Sequence, residues 1–534
     1  MLLAVVVSRV IGRATRLPVP LVQIALGAAL FYSSLSSVEL DPDVFFLLLL
    51  PPLLFLDGWR IPKDDLMREA PTIVTLALGL VVVTVLGVGW LIHALIPGMP
   101  LSVAFALAAV ISPTDPIAVA AIAGRTPIPM RMRRVLEGES LFNDASGLVC
   151  MRFAVTATLT GSFAVSSALL SFLWVALGGL AVGVCVTWLL IRAKPSTAVL
   201  LNDDGGAQIL VTLLIPFGVY LLAEWLGCSG ILAAVAAGIT MGFTPHSHWH
   251  ATTRIRRTAV WDTVQFAANG SIFVLLGEQI PSILMAAKET VQVTGHQNPW
   301  WLGLYIVMIV AALAVLRFAW VWASLTIAFF GEPSHRTMRP AARWRVMLAM
   351  SIAGVRGAIT LAAVLTLPFK LSDGSPFPGR DLAIFLAAGV IVLSLLLATV
   401  ALPHALDGLK LPSDKSPEDD EGTARRAGAE AALRAVESAR EALPAGQPDT
   451  DIQTQAANQI ATIYRQRIER YSGHPDAPMH ADKAEAADRD LRLLALRAER
   501  DEMIRLGEAN EIQEITLRKL VREIDLQEAR FSSV

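Results

Sequence analysis

The stretch ISPTDPIAV, residues 111–119, places Pro113 and Pro116 inside an apolar run, with Thr114 and Asp115 between them. A proline within a helix removes a backbone hydrogen bond, and in a membrane the freed polar groups must find partners in protein or cavity water. The stretch therefore predicts a helix that breaks where it carries a carboxylate. Whether that helix crosses a membrane depends on the sequence around it.

The surrounding sequence is unusually apolar for a chain of 534 residues, of which 54% are hydrophobic and 17% charged, with a mean hydropathy of +0.56. Runs of the roughly 20 apolar residues that cross a bilayer follow one another up to about residue 410. The sequence therefore predicts an all-α membrane protein. Its thirteen apolar segments are residues 2–12, 19–35, 44–59, 71–95, 101–123, 135–160, 167–191, 207–224, 229–244, 260–281, 300–330, 344–368 and 381–403.

The composition reverses after the last segment. Residues 411–534 are rich in Glu, Arg, Ala and Gln, and they show apolar residues at helical spacing among interleaved charges. We therefore expect two domains, a transmembrane domain over 1–410 and a helical tail over 411–534 that is regulatory or associated with a dimer. The sequence has no nucleotide-binding or metal motif in the tail, and we expect no cofactor and no nucleic-acid partner.

Lysine and arginine collect in alternate loops between the segments. One set of loops, beginning with Arg13 and Arg16, holds eighteen of these residues, whereas the other set holds three, Lys288, Lys370 and Arg380. Because positive residues favour cytoplasmic loops, the pattern predicts a multi-pass protein of the plasma membrane with its N-terminus outside and its tail in the cytoplasm.

A second interruption matches the first. Segment 12 contains AGVRGAI, residues 353–359, in which Gly354 and Gly357 bracket Arg356. If segments 1–6 and 8–13 are two repeats joined by segment 7, the interrupted helix is the fifth of each repeat, and the repeats enter the membrane from opposite sides. Inverted repeats with broken helices that cross near the membrane centre are typical of secondary transporters. We therefore predict broken, crossing helices 5 and 12.

Segment 6 contains EGESLFNDASGLV, residues 137–149, which places acidic residues deep in the membrane. At about 1.5 Å per residue, Asp144 lies roughly 14 Å from the cytoplasmic start of the segment, at a depth similar to that of Asp115. Ser140 and Asp144 share one helix face, while Glu139 and Asn143 share the neighbouring face. Ionisable residues at this depth are costly, so their default interpretation is functional.

Two roles follow from those two faces. Ser140 and Asp144, with Thr114 and Asp115 from the opposite break, offer hard oxygen atoms suited to a small cation. On the other face, Glu139 can neutralise an intramembrane arginine; Arg317 and Arg356 both need a partner at depth because an uncompensated buried charge is strongly unfavourable. Arg152 also lies within an apolar segment, and the spacing predicts no partner for it.

A carboxylate that binds either a proton or a cation is sufficient for exchange, because the two ions compete for it. The sequence therefore favours a secondary antiporter over an enzyme. Two alternatives stay open. One is a proton-coupled anion carrier that uses Arg317 and Arg356 to bind substrate, and the other is a membrane ion sensor that signals through the tail.

Four pieces of the sequence resemble the monovalent cation/proton antiporter family, which includes bacterial sodium/proton antiporters and eukaryotic sodium/proton exchangers. They are LLPPLLFLDGW in segment 3, SPTDPIAV in segment 5, EGESLFNDASGLV in segment 6 and GVRGAITLA in segment 12. The resemblance implies an inverted-repeat fold of thirteen helices, a core domain that moves against a dimerisation domain, and a homodimer in membrane lipid. It implies exchange of Na⁺, or of K⁺ or Li⁺, for H⁺.

The resemblance also implies roles for individual residues. Asp144 would be the carboxylate shared by the proton and the transported Na⁺, and Glu139 would pair with Arg317 while Arg356 stabilises the broken helices. The residues that would complete or order the surroundings of the ion are Thr114, Asp115, Ser140 and Asn143. An Asn-Asp pair such as Asn143 and Asp144 resembles the electroneutral members of the family.

Segment 3 departs from the family pattern. Several relatives have an acidic residue directly after the PPLLF-like run, where this chain has Leu56, and its Asp57 comes one position later. One residue turns a helical side chain by about 100°. We include Asp57 among the ion-site residues, although the rotation predicts that it points away from the ion and marks the end of segment 3 instead.

Overall fold

The structure is a computed structural model. It describes residues 1–15, 17–32, 42–61, 63, 67, 75–123, 128–160, 165–200, 205–243, 251–285, 291, 298–329, 340–371, 374–407, 417–442, 450–470, 477–509 and 511–531. Two compact units divide the chain, Met1–Leu411 and Pro412–Val534.

The first unit is built of helices, and its described residues contain no β pairing beyond an isolated bridge between Lys370 and Pro376. The helices are α1 (Leu2–Thr15), α2 (Val19–Phe31), α3 (Pro42–Arg60), α4 (Leu80–Leu95), α5 (Leu101–Ile111), α6 (Pro116–Ala123), α7 (Met130–Thr160), α8 (Val165–Leu200), α9 (Gly205–Trp225), α10 (Gly230–Gly242), α11 (Ala251–Met285), α12 (Trp300–Phe329), α13 (Pro340–Ile352), α14 (Ala358–Leu365) and α15 (Arg380–Leu406). A π-helical turn, Thr75–Gly79, leads into α4.

The helices fall on the predicted apolar segments in order, and the prediction of a nearly all-helical membrane protein is confirmed. Segments 5 and 12 are each divided, the first into α5 and α6 and the second into α13 and α14. Within the described residues, six helical stretches are long and apolar enough to cross a membrane, the longest of them Thr252–Met285. The total of thirteen crossings stays a prediction.

Packing sorts the helices of this unit into two groups. The first group contains α1–α3 and α8–α11, and the second contains α4–α7 and α12–α15. Within the first group, α2 and α11 approach so closely that a Cβ on Gly27 or Gly277 would lie 2.0 Å from a carbonyl oxygen of the other helix. Such small residues hold membrane helices together by close backbone packing. The boundary between the groups runs along α3 and α11 on one side and α7 and α14 on the other.

The second unit consists of four helices, α16 (Pro417–Glu441), α17 (Thr450–Arg470), α18 (Ala477–Glu508) and α19 (Glu514–Phe531). Helix α16 packs against α17 and α18 packs against α19. An ion pair of 2.8 Å joins Glu437 and Arg465 across the first pair of helices, and Arg500 pairs with Glu528 across the second. In the described residues this unit is helical, and its role as a regulatory or dimer-associated tail stays a prediction.

Candidate functional site

The two broken helices meet at their interruptions. Helix α5 ends at Ile111 and α6 begins at Pro116, whereas α13 ends at Ile352 and α14 begins at Ala358. Between them, the backbone N–H of Asp115 donates a hydrogen bond of 2.8 Å to the carbonyl oxygen of Val355. One break therefore supplies a partner for the other, as membrane burial of unpaired backbone requires, and the prediction that helices 5 and 12 are broken and cross is confirmed.

Arg356 lies at the carboxyl ends of both interrupted helices. Its Nε donates a hydrogen bond of 2.8 Å to the carbonyl oxygen of Ile111 at the end of α5, and a second guanidinium nitrogen bonds the carbonyl oxygen of Gly354 just after α13. A cation is favourable at a helix carboxyl end, where the helix dipole is negative. Arg356 thus bonds carbonyl oxygens of both breaks, the location that its expected role in stabilising the broken helices requires, and its hydrogen-bond partners are backbone carbonyls, whereas Glu139 bonds Arg317.

Asp115 lies at the amino ends. Its Oδ1 accepts a hydrogen bond of 3.1 Å from the backbone N–H of Ala118 in the first turn of α6. Its other carboxylate oxygen lies beside Gly357, where an added Cβ would be only 1.9 Å from it. A negative charge is favourable at helix amino ends, and only glycine leaves room for the carboxylate beside α14.

Glu139 and Arg317 form a buried bidentate ion pair. The two guanidinium nitrogens lie 2.5 and 2.9 Å from the carboxylate oxygens, and the side chains are 0% and 2% exposed. The Nε of Arg317 also donates to the carbonyl oxygen of Met350 at 3.0 Å. Parallel hydrogen bonds of this kind are among the strongest in proteins, so the pair ties α7 and α12 to the end of α13.

Asn143 and Thr114 extend this network toward the break. The amide nitrogen of Asn143 donates a hydrogen bond of 3.0 Å to the hydroxyl of Thr114, which in turn donates to Glu139 at 3.5 Å. The amide oxygen of Asn143 is buried and has no hydrogen-bond partner among the described residues. Asn143 does not line the cavity but fixes the position of Thr114, which does.

A cavity of about 30 Å³ lies where the breaks meet the boundary between the two helix groups. It has room for a water molecule or one small ion, and it is far smaller than the sites that hold organic ligands. Its polar lining residues are Asp57, Thr114, Asp115, Ser140, Asp144, Asn269 and Thr360. Three carboxylates and several neutral oxygens thus surround a space of ionic size.

The structure brings together five of the six residues predicted to surround the ion, and Asn143 lies behind them. The expectation that Asp57 is turned away was wrong, because Asp57 reaches the cavity from α3, across the boundary between the groups. Sequence reasoning missed Asn269 and Thr360. The signal for Asn269 was available, since it is an amide in the middle of an apolar segment.

Arg152 also has a partner that spacing did not indicate. Its guanidinium group forms a bidentate contact with Glu224 at 2.9 and 3.3 Å, and Glu224 accepts a further hydrogen bond from the backbone N–H of Gly230 at 3.0 Å. Arg152 belongs to α7 and Glu224 to α9, so this ion pair joins the two helix groups.

Comparison with known proteins gives concordant results. A family model described as "Sodium/hydrogen exchanger, transmembrane" matches residues 1–408. The chain is 40% identical over 543 residues to "Uncharacterized Na(+)/H(+) exchanger YjcE" of Escherichia coli K12, covering 99% of this chain and 97% of that protein. It is 43% identical over 391 residues to "Sodium, potassium, lithium and rubidium/H(+) antiporter" of Bacillus pumilus, covering 72% of this chain and 57% of that protein.

A solved structure shares the fold. The sodium proton antiporter MjNhaP1 from Methanocaldococcus jannaschii at pH 8 aligns with a TM-score of 0.56 at 18% sequence identity, over 76% of this chain and 97% of that chain. At this identity the likeness concerns the arrangement of helices alone.

Proposed function

The chain belongs to the sodium/hydrogen exchanger family, and from that membership we propose that it exchanges Na⁺ for H⁺ through the cavity at Asp144. The observation that carries the proposal is the convergence of Asp57, Asp115 and Asp144 on a space of about 30 Å³ at the meeting point of two broken helices. Oxygen ligands of this kind suit hard cations. The family membership makes the protein a transporter of the membrane.

Asp144 is the carboxylate we assign to the exchanged ions. Asp115 is engaged at the amino end of α6 through Ala118, and Glu139 is neutralised by Arg317. Asp144 lies on α7 with Ser140 one turn before it, and both line the cavity. A proton and a cation cannot both occupy this carboxylate, so binding of either ion displaces the other, and this competition couples their movements.

The position of the cavity between the two helix groups supports a mechanism of alternating access. Asp57 and Asn269 reach it from the first group, whereas Asp115, Asp144 and Thr360 reach it from the second. A displacement of one group against the other opens the cavity to one face of the membrane at a time. The second group carries both broken helices and thus the proposed carboxylate, and we assign it the movement.

We assign the exchange a stoichiometry of one cation for one proton. Asn143, beside Asp144, is neutral and donates its amide hydrogen to Thr114, so it carries no charge across the membrane. An electroneutral exchanger keeps the same rate when a membrane potential is imposed on proteoliposomes. A rate that rises with the potential would contradict this stoichiometry.

The range of cations and the assembly are further parts of the proposal. The Bacillus relative is named for Na⁺, K⁺, Li⁺ and Rb⁺, so K⁺ and Li⁺ are candidate substrates beside Na⁺. We propose a homodimer in the plasma membrane, with the N-terminus outside and the tail, residues 411–534, acting as a cytoplasmic regulatory or dimer-associated unit.

The anion-carrier alternative finds no support in the contacts of the arginines it requires. Arg317 bonds Glu139 and Met350, Arg356 bonds Ile111 and Gly354, and neither lines the cavity. The cavity itself is lined by carboxylates, which repel anions. The sensor alternative has no specific observation in its favour.

The test of the function is proton flux in reconstituted proteoliposomes, driven in turn by gradients of Na⁺, K⁺ and Li⁺. We expect a change of internal pH on addition of Na⁺ that is absent from liposomes without protein. Wild-type protein that moves protons with none of these cations would contradict the proposal.

A further inference from the structure

Two cavity residues have no role in the exchange as derived so far. Asn269 lies in the middle of α11, and Thr360 lies in the first turn of α14. Both line the same cavity as Asp144. They approach it from different helix groups, Asn269 from the first and Thr360 from the second.

The half-buried side chain of Asn269 faces the cavity from an otherwise apolar stretch of α11. Its neighbours Ala268 and Ile272 are buried, and within the described part of the chain the side chain of Asn269 makes no hydrogen bond. Polar groups within membrane helices commonly mark functional sites. The cavity is where this amide can find a partner.

The hydroxyl of Thr360 is also without its usual partner. A helical threonine commonly donates to the carbonyl oxygen four residues earlier, as Thr158 does to Ala154 and Thr240 to Ala236. Four residues before Thr360 stands Arg356, which lies in the break, outside helical geometry. Thr360 is 2% exposed, and no described residue accepts or donates a hydrogen bond to its hydroxyl.

The neutral side chains of Asn269 and Thr360 can bind a cation without adding to the negative charge of the cavity. A monovalent cation in the cavity already faces the carboxylates of Asp57, Asp115 and Asp144. Further carboxylates would add repulsion among themselves. An amide oxygen and a hydroxyl oxygen instead extend the coordination shell of a hard cation at no cost in charge.

We propose that the side-chain oxygens of Asn269 and Thr360 bind the transported cation and set the preference between Na⁺ and K⁺. This inference rests on the proposed exchange at Asp144. Thr360 belongs to the same helix group as Asp144 and stays with the ion throughout transport. Asn269 belongs to the other group, so relative movement of the groups removes it from the ion in one of the two access states.

The experiment compares initial rates of exchange in proteoliposomes over a range of Na⁺ and of K⁺ concentrations. The variants are Asn269→Leu, which removes the amide at similar volume, and Thr360→Val, which removes only the hydroxyl. Thr360→Ser restores an oxygen at that position. The matched control is Thr263→Ala, also on α11, where the exposed hydroxyl bonds the carbonyl oxygen of Ala259.

We expect the apparent KM for at least one cation to rise about tenfold in Asn269→Leu and Thr360→Val, a typical effect of losing one bond to a charged group. The ratio of kcat/KM between Na⁺ and K⁺ changes with it, and Thr360→Ser returns the ratio toward wild type. For Asn269→Leu the rise appears when the cation is supplied on one face of the membrane and not on the other.

Two results would overturn the inference while leaving the exchange intact. One is a wild-type KM and a wild-type Na⁺/K⁺ ratio in both variants. The other is a fall in kcat with an unchanged ratio, which indicates a structural role. If a variant unfolds, Thr360→Ala and Asn269→Ala, which remove the side-chain oxygen without adding volume, must shift the ratio instead, and an unshifted ratio in both folded proteins counts against the inference. Absence of flux in the wild type would refute the exchange itself.

Discussion

The backbone N–H of Asp115 donates to the carbonyl oxygen of Val355 over 2.8 Å, which joins the interruption of one helix directly to the interruption of another. The charged side chains follow the same geometry. Arg356 faces the two carboxyl ends and Asp115 the two amino ends, so each helix dipole meets an opposite charge. These contacts hold the two interrupted helices together beside the cavity.

Replacement of Arg356 tests this electrostatic arrangement. Arg356→Gln leaves the carbonyl oxygens of Ile111 and Gly354 without their charged donor, and each lost buried bond costs about 1–3 kcal/mol. We expect a lower midpoint of thermal unfolding in detergent together with loss of cation-driven proton flux. Arg356→Lys keeps the charge but lacks the planar guanidinium group that reaches two acceptors. Its unfolding midpoint and its proton flux should lie between those of the wild type and those of Arg356→Gln. An unchanged unfolding midpoint would contradict the capping role.

The Glu139–Arg317 pair yields a prediction about stability. Glu139→Gln leaves the guanidinium group buried and uncompensated, which should lower the free energy of unfolding by about 3–5 kcal/mol. Removal of both charges, in Glu139→Leu with Arg317→Met, should cost less than the sum of the single replacements. Denaturant unfolding in detergent measures the wild type, Glu139→Leu, Arg317→Met and the double variant, which together close the cycle. Strict additivity would show that the two side chains do not depend on each other.

Competition at one carboxylate predicts the pH dependence of transport. In the range where the free site is mostly protonated, lowering the pH by one unit should raise the apparent KM for Na⁺ about tenfold, because one proton must leave for each cation that binds. Saturating Na⁺ should restore the maximal rate. Initial rates at several values of pH and Na⁺ concentration provide the measurement. A KM that stays constant while the maximal rate falls would rule out a shared site.

The architecture could be predicted from the sequence because irregular backbone leaves unpaired polar groups, which are costly inside a membrane. Pro113 and Pro116 announced one break, and Gly354 with Gly357 announced the other. Helical spacing also separated Glu139 from Asp144 correctly, since both lie on one helix. Such patterns can be recognised within one helix, because unpaired backbone groups and charged side chains are costly anywhere in a bilayer.

What failed concerned contacts between distant helices. The rotation argument for Asp57 treated α3 alone, whereas its exposure to the cavity depends on how α3 lies against the second helix group. The pairing of Arg152 with Glu224 was missed for the same reason, because periodicity within a helix does not specify which helix it faces. Arg356 was expected to stabilise the broken helices, but its acceptors could not be named, because backbone carbonyl acceptors leave no mark in the sequence.

The most direct test of the account is cation-driven proton flux through Asp144→Asn in proteoliposomes. The matched control is Asp381→Asn, the same chemical change at the exposed start of α15, where the aspartate side chain is 85% exposed. We predict that Asp144→Asn abolishes flux with Na⁺, K⁺ and Li⁺ while its unfolding midpoint stays at or above that of the wild type, and that Asp381→Asn transports normally. Flux at the wild-type rate in a folded Asp144→Asn protein would contradict the assignment of Asp144 as the shared site.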